Sequence, residues 1–237
     1  MSDLSEKKLI VCDLGRQPAY REVWAYQQQL QKQRIAGEIE DTLLLVEHAP
    51  VYTVGKNGSD DHVIASASFL ESLGAEVVQV DRGGDVTYHG PGQLVGYPIF
   101  DLHQHRQSIS WYMRQLENLF IDLLAGYGIA AGRDEDFTGV WIGNDKILAL
   151  GVRISRWVTM HGFAFNISTD LGHFDGIIPC GIFHKGVTSL EKLLNRPVGR
   201  GEVLEKLIPL VAERFGFDAV ERQPHNGRLA VGEKVAH

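Results

Sequence analysis

Short apolar runs and stretches of helical periodicity alternate along the chain, without a strict strand–helix–strand rhythm. "KKLIVCDL" reads as a first strand. "AYREVWAYQQQLQKQRIAG" reads as a helix, with Pro18 near its start and Gly37 near its end. "DTLLLVEH" is a buried strand by its apolar run, and Pro50 and Gly55 bracket a short strand, "VYTV". "SASFLESLGA" is a short helix with Ser66 as its N-cap. "EVVQVD" and "QLVGYPIF" are strands on either side of a glycine-rich stretch. In residues 108–128 the apolar positions 109, 112, 113, 116, 119, 120, 123 and 124 recur at helical spacing, so a long amphipathic helix lies against a sheet. "TGVWIGNDKILALGVRIS" has apolar runs on both sides of Gly143-Asn144-Asp145, a hairpin pattern, and "WVTMHGFAFNIS" is a further strand. "HFDGIIPCGIF" is a loop or turn, helices follow at about 188–195 and 200–215, and residues 221–237 form a polar, loose tail. The pattern predicts an α/β (α+β mixed) protein: a mixed β-sheet flanked by helices.

A chain of 237 residues can bury a real core, and 44% hydrophobic with 22% charged residues is ordinary globular composition. The net charge of -7 argues against non-specific nucleic-acid binding. No apolar run is long enough to span a bilayer, and the N-terminal "MSDLSEKKLIVCDL" lacks the apolar region of a signal peptide. A cytoplasmic location is expected, with no membrane partner. Of the two cysteines, Cys12 in "LIVCDL" reads as a small buried apolar residue, and Cys180 has a different setting.

"DRGGDVTYHGPGQLVGY", residues 81–97, combines five glycines with an arginine, a histidine and two aspartates. It is neither the G-x-G-x-x-G dinucleotide pattern nor a Walker loop. "DVTYH" alternates like a strand between a Gly-Gly turn and Gly-Pro-Gly. Two readings are open: a glycine-rich hairpin without a ligand, or the wall of a pocket with Arg82 and His89 at its edges.

"RGGDVTYHGPGQLVGYPI" resembles the signature of the lipoyl(octanoyl) transferases, the octanoyl-acyl-carrier-protein:protein octanoyltransferases of lipoate synthesis. "DKILALGVRISRWVTMHGFAFN" and "GIIPCGI" agree with it in order, so the resemblance runs from about residue 40 to 195. It implies one catalytic domain over residues 1–237, of the biotin and lipoate protein ligase type. It also implies transfer of an octanoyl group from octanoyl-acyl carrier protein to a lysine ε-amine. The acceptors would be lipoyl domains of 2-oxoacid dehydrogenase E2 subunits and the glycine cleavage H protein. Thioester to amide is downhill, so neither ATP nor another cofactor is implied, and a monomer is expected.

"IIPCGI" matches the motif carrying the family's cysteine nucleophile, which makes Cys180 the candidate. A thiol is mostly protonated near neutrality, and the family pairs it with a lysine at the position of Lys146 in "NDKILALG". Two roles are open to that lysine: an ammonium stabilising the thiolate, or a neutral amine acting as general base. Arg82, Gly83, Gly84, Asp85, Val86, Thr87, Tyr88 and His89 match substrate-contacting positions, as do Ala149, Leu150 and Gly151, and Gly162, Phe163 and Ala164. Backbone amides of the last two groups are the expected oxyanion donors. His89 could orient a carbonyl, bond the backbone or assist proton transfer, whereas His161 and His184 read as structural residues. His103 and His105 lack an acidic or cysteine partner in a familiar spacing, and no metal is expected. Arg133, Arg153, Arg156 and Lys185 are candidates for docking an acidic carrier protein. An ATP-dependent ligase on the same fold, a cysteine thioesterase and a non-enzymatic acyl-binding module are the alternatives.

Overall fold

A computed structural model describes residues 6–178 and 185–224. The strands are β1 (Lys8–Arg16), β2 (Asp41–Glu47), β3 (Val51–Val54), β4 (Glu76–Gln79), β5 (Val86–His89), β6 (Gln93–Ile99), β7 (Val140–Ile142), β8 (Asp145–Ser155), β9 (Val158–Asn166), β10 (Gly186–Val187) and β11 (Ala219–Pro224). The helices are α1 (Tyr20–Ile35), α2 (Ala67–Leu73), α3 (Ile109–Ala125), α4 (Leu190–Leu194) and α5 (Arg200–Phe215).

Among the described residues, eight strands form one sheet in the order β10-β8-β9-β6-β2-β1-β11, with β7 also paired to β8. β1 runs parallel to β2 and β11, whereas β6 is antiparallel to β2 and β9, so the sheet is mixed as expected. Period-2 alternation sends successive residues of β2 into different cores. Leu43 and Leu45 join the layer under α3 and α5, with Leu116, Phe120, Leu207 and Val211. Leu44 and Val46 join the layer under α1, with Val23, Leu30, Tyr97 and Cys12. Helices on both faces explain why β2 is apolar throughout. Cys12 is a core residue whose thiol is pushed up by burial and by Asp13, in keeping with the bland reading.

A second sheet, β4-β3-β5, carries the glycine-rich stretch between β4 and β5. Ser66 caps α2 as expected, accepting from the Phe69 amide at 3.1 Å. The turn before β8 has Ile142 opposite Asp145 and positive φ at Gly143, the type II′ pattern. The loose tail needs correction over its first residues. Residues 221–224 belong to β11, which lies parallel along β1 from Lys8 opposite Ala219 to Asp13 opposite Pro224. This edge strand is held by main-chain bonds, so its side chains show no apolar pattern. No helix of the described residues is long and apolar enough to cross a membrane.

Candidate active site

A cavity of about 500 Å³ opens where β8, β9 and β6 meet the loop between β4 and β5. Ala149 and Gly151 of β8 and Gly162 and Ala164 of β9 form one wall. A Cβ at Gly151 would stand 2.9 Å from the Gly83 carbonyl oxygen and 3.0 Å from Arg82 Cδ. Its absence lets the loop lie on β8, where the Gly83 amide donates to the Val152 carbonyl at 2.9 Å. The glycines therefore serve backbone-to-backbone approach beside an open space.

Lys146 reaches this wall through a bulge. Trp141 pairs with Lys146 and the adjacent Val140 with Leu148, so Ile147 is an extra residue in β8. Ile147 and Leu148 both enter the core under α3 and α5, which leaves Lys146 on the cavity side with Ala149. Strict alternation would have sent Lys146 to the opposite face.

Polar side chains line the far wall in a fixed order. The Asn166 amide donates to the Thr188 carbonyl at 3.0 Å, and Gln93 donates to Asn166 Oδ1 at 2.9 Å and to the Tyr88 carbonyl at 3.2 Å. Gln93 Oε1 is thereby turned to His89 Nδ1 at 2.8 Å, and Nδ1 must donate. Burial, reinforced by His48 and Arg82, lowers the His89 pKa to about 3 despite the Gln93 bond. The ring is neutral and Nε2 is an acceptor. Of the three roles open in the sequence, orienting a carbonyl by donation is closed to it, and its bonded partner is a side-chain amide rather than the backbone. His161 is more than a satisfied structural residue. It lines the cavity at φ +57 with Nε2 2.7 Å from Asp81, while Nδ1 is buried without a partner among the described residues. Burial pushes His161 down against the pull of Asp81.

Of the expected site residues, Arg82, Gly84, Asp85, Val86, Thr87, His89, Lys146, Ala149, Leu150, Gly151, Gly162, Phe163 and Ala164 line the cavity. Gly83 and Tyr88 do not. The alternation of β5 turns Tyr88 into the core of the small sheet, with its ring centroid 5.2 Å from that of Tyr52. Arg82 looks inward more than expected: its guanidinium donates to the Thr53 carbonyl and hydroxyl, both at 2.8 Å, and to Gly83. Asp85 is buried and 2.8 Å from His62 Nδ1. The oxyanion expectation for Gly162–Ala164 also needs correction. These residues sit in β9 between β8 and β6, so their amides serve the ladders. Cys180 and His184 lie outside the described residues. The flanking chain is informative: Ile177 and Lys185 both line the cavity, and the Ile178 amide donates to the His62 carbonyl at 2.9 Å.

Sequence reasoning missed Tyr20, Gln93, Tyr97, Phe137, Trp141 and Asn166, all on the cavity. Gln93 and Asn166 had a signal: polar residues ending otherwise apolar strands. The docking candidates are mostly engaged within the chain, Arg133 with Glu117, Arg153 with Asp81 and Lys185 with Asp134. Arg156 sits at the tip of the β8–β9 turn, far along β8 from Lys146. His103 and His105, which show no familiar metal-ligand spacing, each have an acidic partner in the fold: His105 Nε2 is 2.8 Å from Asp41, and His103 Nδ1 is 2.6 Å from Asp101.

Helices on both faces of a mixed sheet define the fold class, and comparison with known proteins agrees. Among solved structures, lipoate-protein ligase A bound with ATP superposes with a TM-score of 0.76 at 17% identity, over 93% of this chain and 90% of that one. A putative lipoate protein ligase from T. acidophilum with bound lipoic acid gives 0.75 at 17% identity, over 93% and 90%. At that identity the likeness establishes the fold. Residues 19–211 match the lipoyl protein ligase A/B catalytic domain, and the chain belongs to that family. An octanoyltransferase from Caldicellulosiruptor saccharolyticus is 49% identical over 211 residues, covering 88% of this chain and 89% of the relative. One from Rubrobacter xylanophilus is 47% identical over 219 residues, covering 89% and 97%. The chain is a transferase of the octanoyltransferase kind.

Proposed function

We propose that this enzyme takes an octanoyl group from the thioester of an acyl carrier protein, holds it on Cys180, and delivers it to a lysine ε-amine of a lipoyl domain. The observation that carries this reading is the bulge that turns Lys146 into a cavity that Ile177 and Lys185 also line. Cys180 lies in the short stretch between those two residues.

In the first half-reaction the Cys180 sulfur attacks the thioester carbonyl carbon. The carbon–sulfur bond to the carrier breaks, and the carrier thiolate takes a proton. In the second half-reaction the acceptor amine attacks the enzyme thioester, loses a proton and expels the Cys180 thiolate. One basic group near the sulfur serves both steps, by accepting the thiol proton first and the amine proton later. Lys146 fills that role. A cavity of about 500 Å³ is ample for a small ligand, and Val95, Leu150, Phe163 and Ala164 offer an apolar lining. Each methylene buried there contributes about 0.8 kcal/mol. Neutral His89, with Nε2 as an acceptor, suits an N–H group of the donor arm or of the acceptor. The partners are octanoyl-acyl carrier protein and lipoyl domains of E2 subunits and the H protein, and the reaction consumes no ATP.

Intact-protein mass spectrometry tests this after mixing with octanoyl-carrier protein, without ATP or acceptor. Wild type gains one octanoyl group, Cys180→Ser gains none, and an added lipoyl domain removes the adduct. Transfer without any adduct on either protein would mean direct attack by the acceptor lysine.

A further inference from the structure

Two ammonium groups share one indole. Lys146 Nζ stands 4.7 Å from the centroid of the Trp141 ring, and Lys185 Nζ stands 4.8 Å from it. Lys185 also lies 4.9 Å from the Phe137 ring and pairs with Asp134. Like charges gathered on one ring need a reason, because each repels the other in a half-buried site. The negative face of an indole is the aromatic surface best suited to hold an ammonium group.

The indole is itself held. Trp141 exchanges two backbone bonds with Gly132, both 2.9 Å, and Nε1–H donates to the Phe137 carbonyl at 3.2 Å. Only 4% of the residue is exposed. Lys146 lies opposite Trp141 across the β7–β8 pair, and the Thr188 amide donates to the Lys146 carbonyl from the other side at 3.0 Å. The lysine stem passes over Gly139, where a Cβ would come within 3.4 Å of Lys146 Cε and 2.4 Å of the Leu148 carbonyl oxygen. Gly139 has φ +134, a conformation that side chains rarely adopt. So the backbone, the stem track and the indole all constrain Lys146. Lys185 is the first described residue after Cys180 and immediately precedes β10, the short strand that pairs with β8. One ring therefore joins the lysine to the chain that leaves the cysteine.

We infer that Trp141 is the positioning residue of this site, setting the Lys146 amine relative to Lys185 and the segment it follows by offering one indole ring to both ammonium groups. This rests on the reading of Lys146 as the proton-transfer group. Other charged or titratable groups on the same cavity are Asp136, Asp85, Arg82, His89 and His161, and burial lowers the pKa of both histidines. None of them belongs to the aromatic contact.

Steady-state octanoyl transfer by the full-length protein tests the inference across pH, with Trp141→Leu, Trp141→Phe, Lys185→Met and Lys146→Ala side by side. Trp141→Leu lowers kcat by roughly a hundredfold, the scale of an ångström's misplacement, with KM for the donor nearly unchanged. Its pH–rate profile moves to lower pH, because an aromatic face favours the ammonium form. Trp141→Phe restores most of the rate and the wild-type profile. Lys185→Met leaves the indole and β8 in place, which covers the case of a Leu variant that does not fold. Removing that like charge moves the profile to higher pH. Unmoved profiles in both Trp141→Leu and Lys185→Met, or equal losses in the Leu and Phe variants, overturn the inference. If Lys146→Ala is inactive while Trp141→Leu turns over normally, the inference alone falls. If Lys146→Ala turns over at the wild-type rate, the proposed function falls first.

Discussion

The two ends of β6 carry buried polar clusters built on opposite plans. Beyond its C-terminal end, Asp41 accepts from Arg34 Nε at 2.7 Å, from the Asp101 amide at 2.8 Å and from His105 Nε2 at 2.8 Å. Lys7 Nζ completes the chain by donating to His105 Nδ1 at 2.8 Å, to the Gln104 carbonyl at 3.0 Å and to the Phe215 carbonyl at 3.1 Å. At the N-terminal end, His89 bonds a neutral amide through one nitrogen, and Lys146 and Lys185 rest on an aromatic ring. Both clusters contain lysine and histidine. In the first, every ammonium hydrogen of Lys7 and both ring nitrogens of His105 are consumed by the chain. In the second, the histidine keeps Nε2 on an open cavity. A buried histidine beside a lysine therefore means little until its remaining hydrogen-bonding capacity is traced.

The sharpest break in the comparison comes from deleting one member of each cluster. Lys146→Ala is expected to lower kcat by roughly 10²- to 10⁴-fold, the range of a lost general acid–base group, while the melting temperature stays close to wild type. Asp41→Ala should do the reverse. Arg34 and His105 would be left buried without their carboxylate, at about 3–5 kcal/mol of stability, with turnover per folded molecule intact. Urea unfolding and transfer assays on both proteins give the answer. Full activity in Lys146→Ala, or a normal unfolding midpoint in Asp41→Ala, would erase the distinction. Gly151→Ala sits between the two. Its methyl would press on the Gly83 carbonyl and Arg82, costing about 1–3 kcal/mol and raising KM together, since that contact builds the cavity wall. An unchanged KM would mean the loop does not shape the site.

Much of this was legible in advance because it depends on local rules. β2 follows from its apolar run, α3 from periodicity, and the β7–β8 hairpin from Gly143. The motif residues could be placed on strands and loops that do line one cavity. What could not be read depends on register and on distant partners. The extra residue at Ile147 that re-aims Lys146 is invisible in an alternating pattern. The Asp41–His105 pair joins residues far apart in the chain. Trp141 looked like one more hairpin apolar residue, because nothing in sequence shows two lysines converging on it. β11 lacks a side-chain signature since an edge strand is held by its backbone.

The smallest expected effect compares the histidines themselves. Burial lowers His48 to about 4 and, with His48 and Arg82 adding to it, lowers His89 to about 3. Both lie below the unfolded value of about 6.5, so the unfolded chain takes up protons first as pH falls. Stability is therefore full above pH ~6.5 and declines below it, by roughly 2 kcal/mol per histidine at pH ~5. Asp81 adds to the decline at lower pH. Its burial favours the neutral form, but the His161 bond and charge and Arg153 outweigh that and hold it below its usual value. Unfolding in urea at pH ~7.5 and ~5 reads the total, and His89→Gln separates the terms: whatever the variant costs at neutral pH, its loss on acidification should be smaller than that of wild type. An equal loss would mean that His89 is protonated in the folded protein. Its Nδ1–H would still donate to Gln93, but Nε2 would carry a proton as well, and its acceptor role on the cavity would have to be abandoned at that pH.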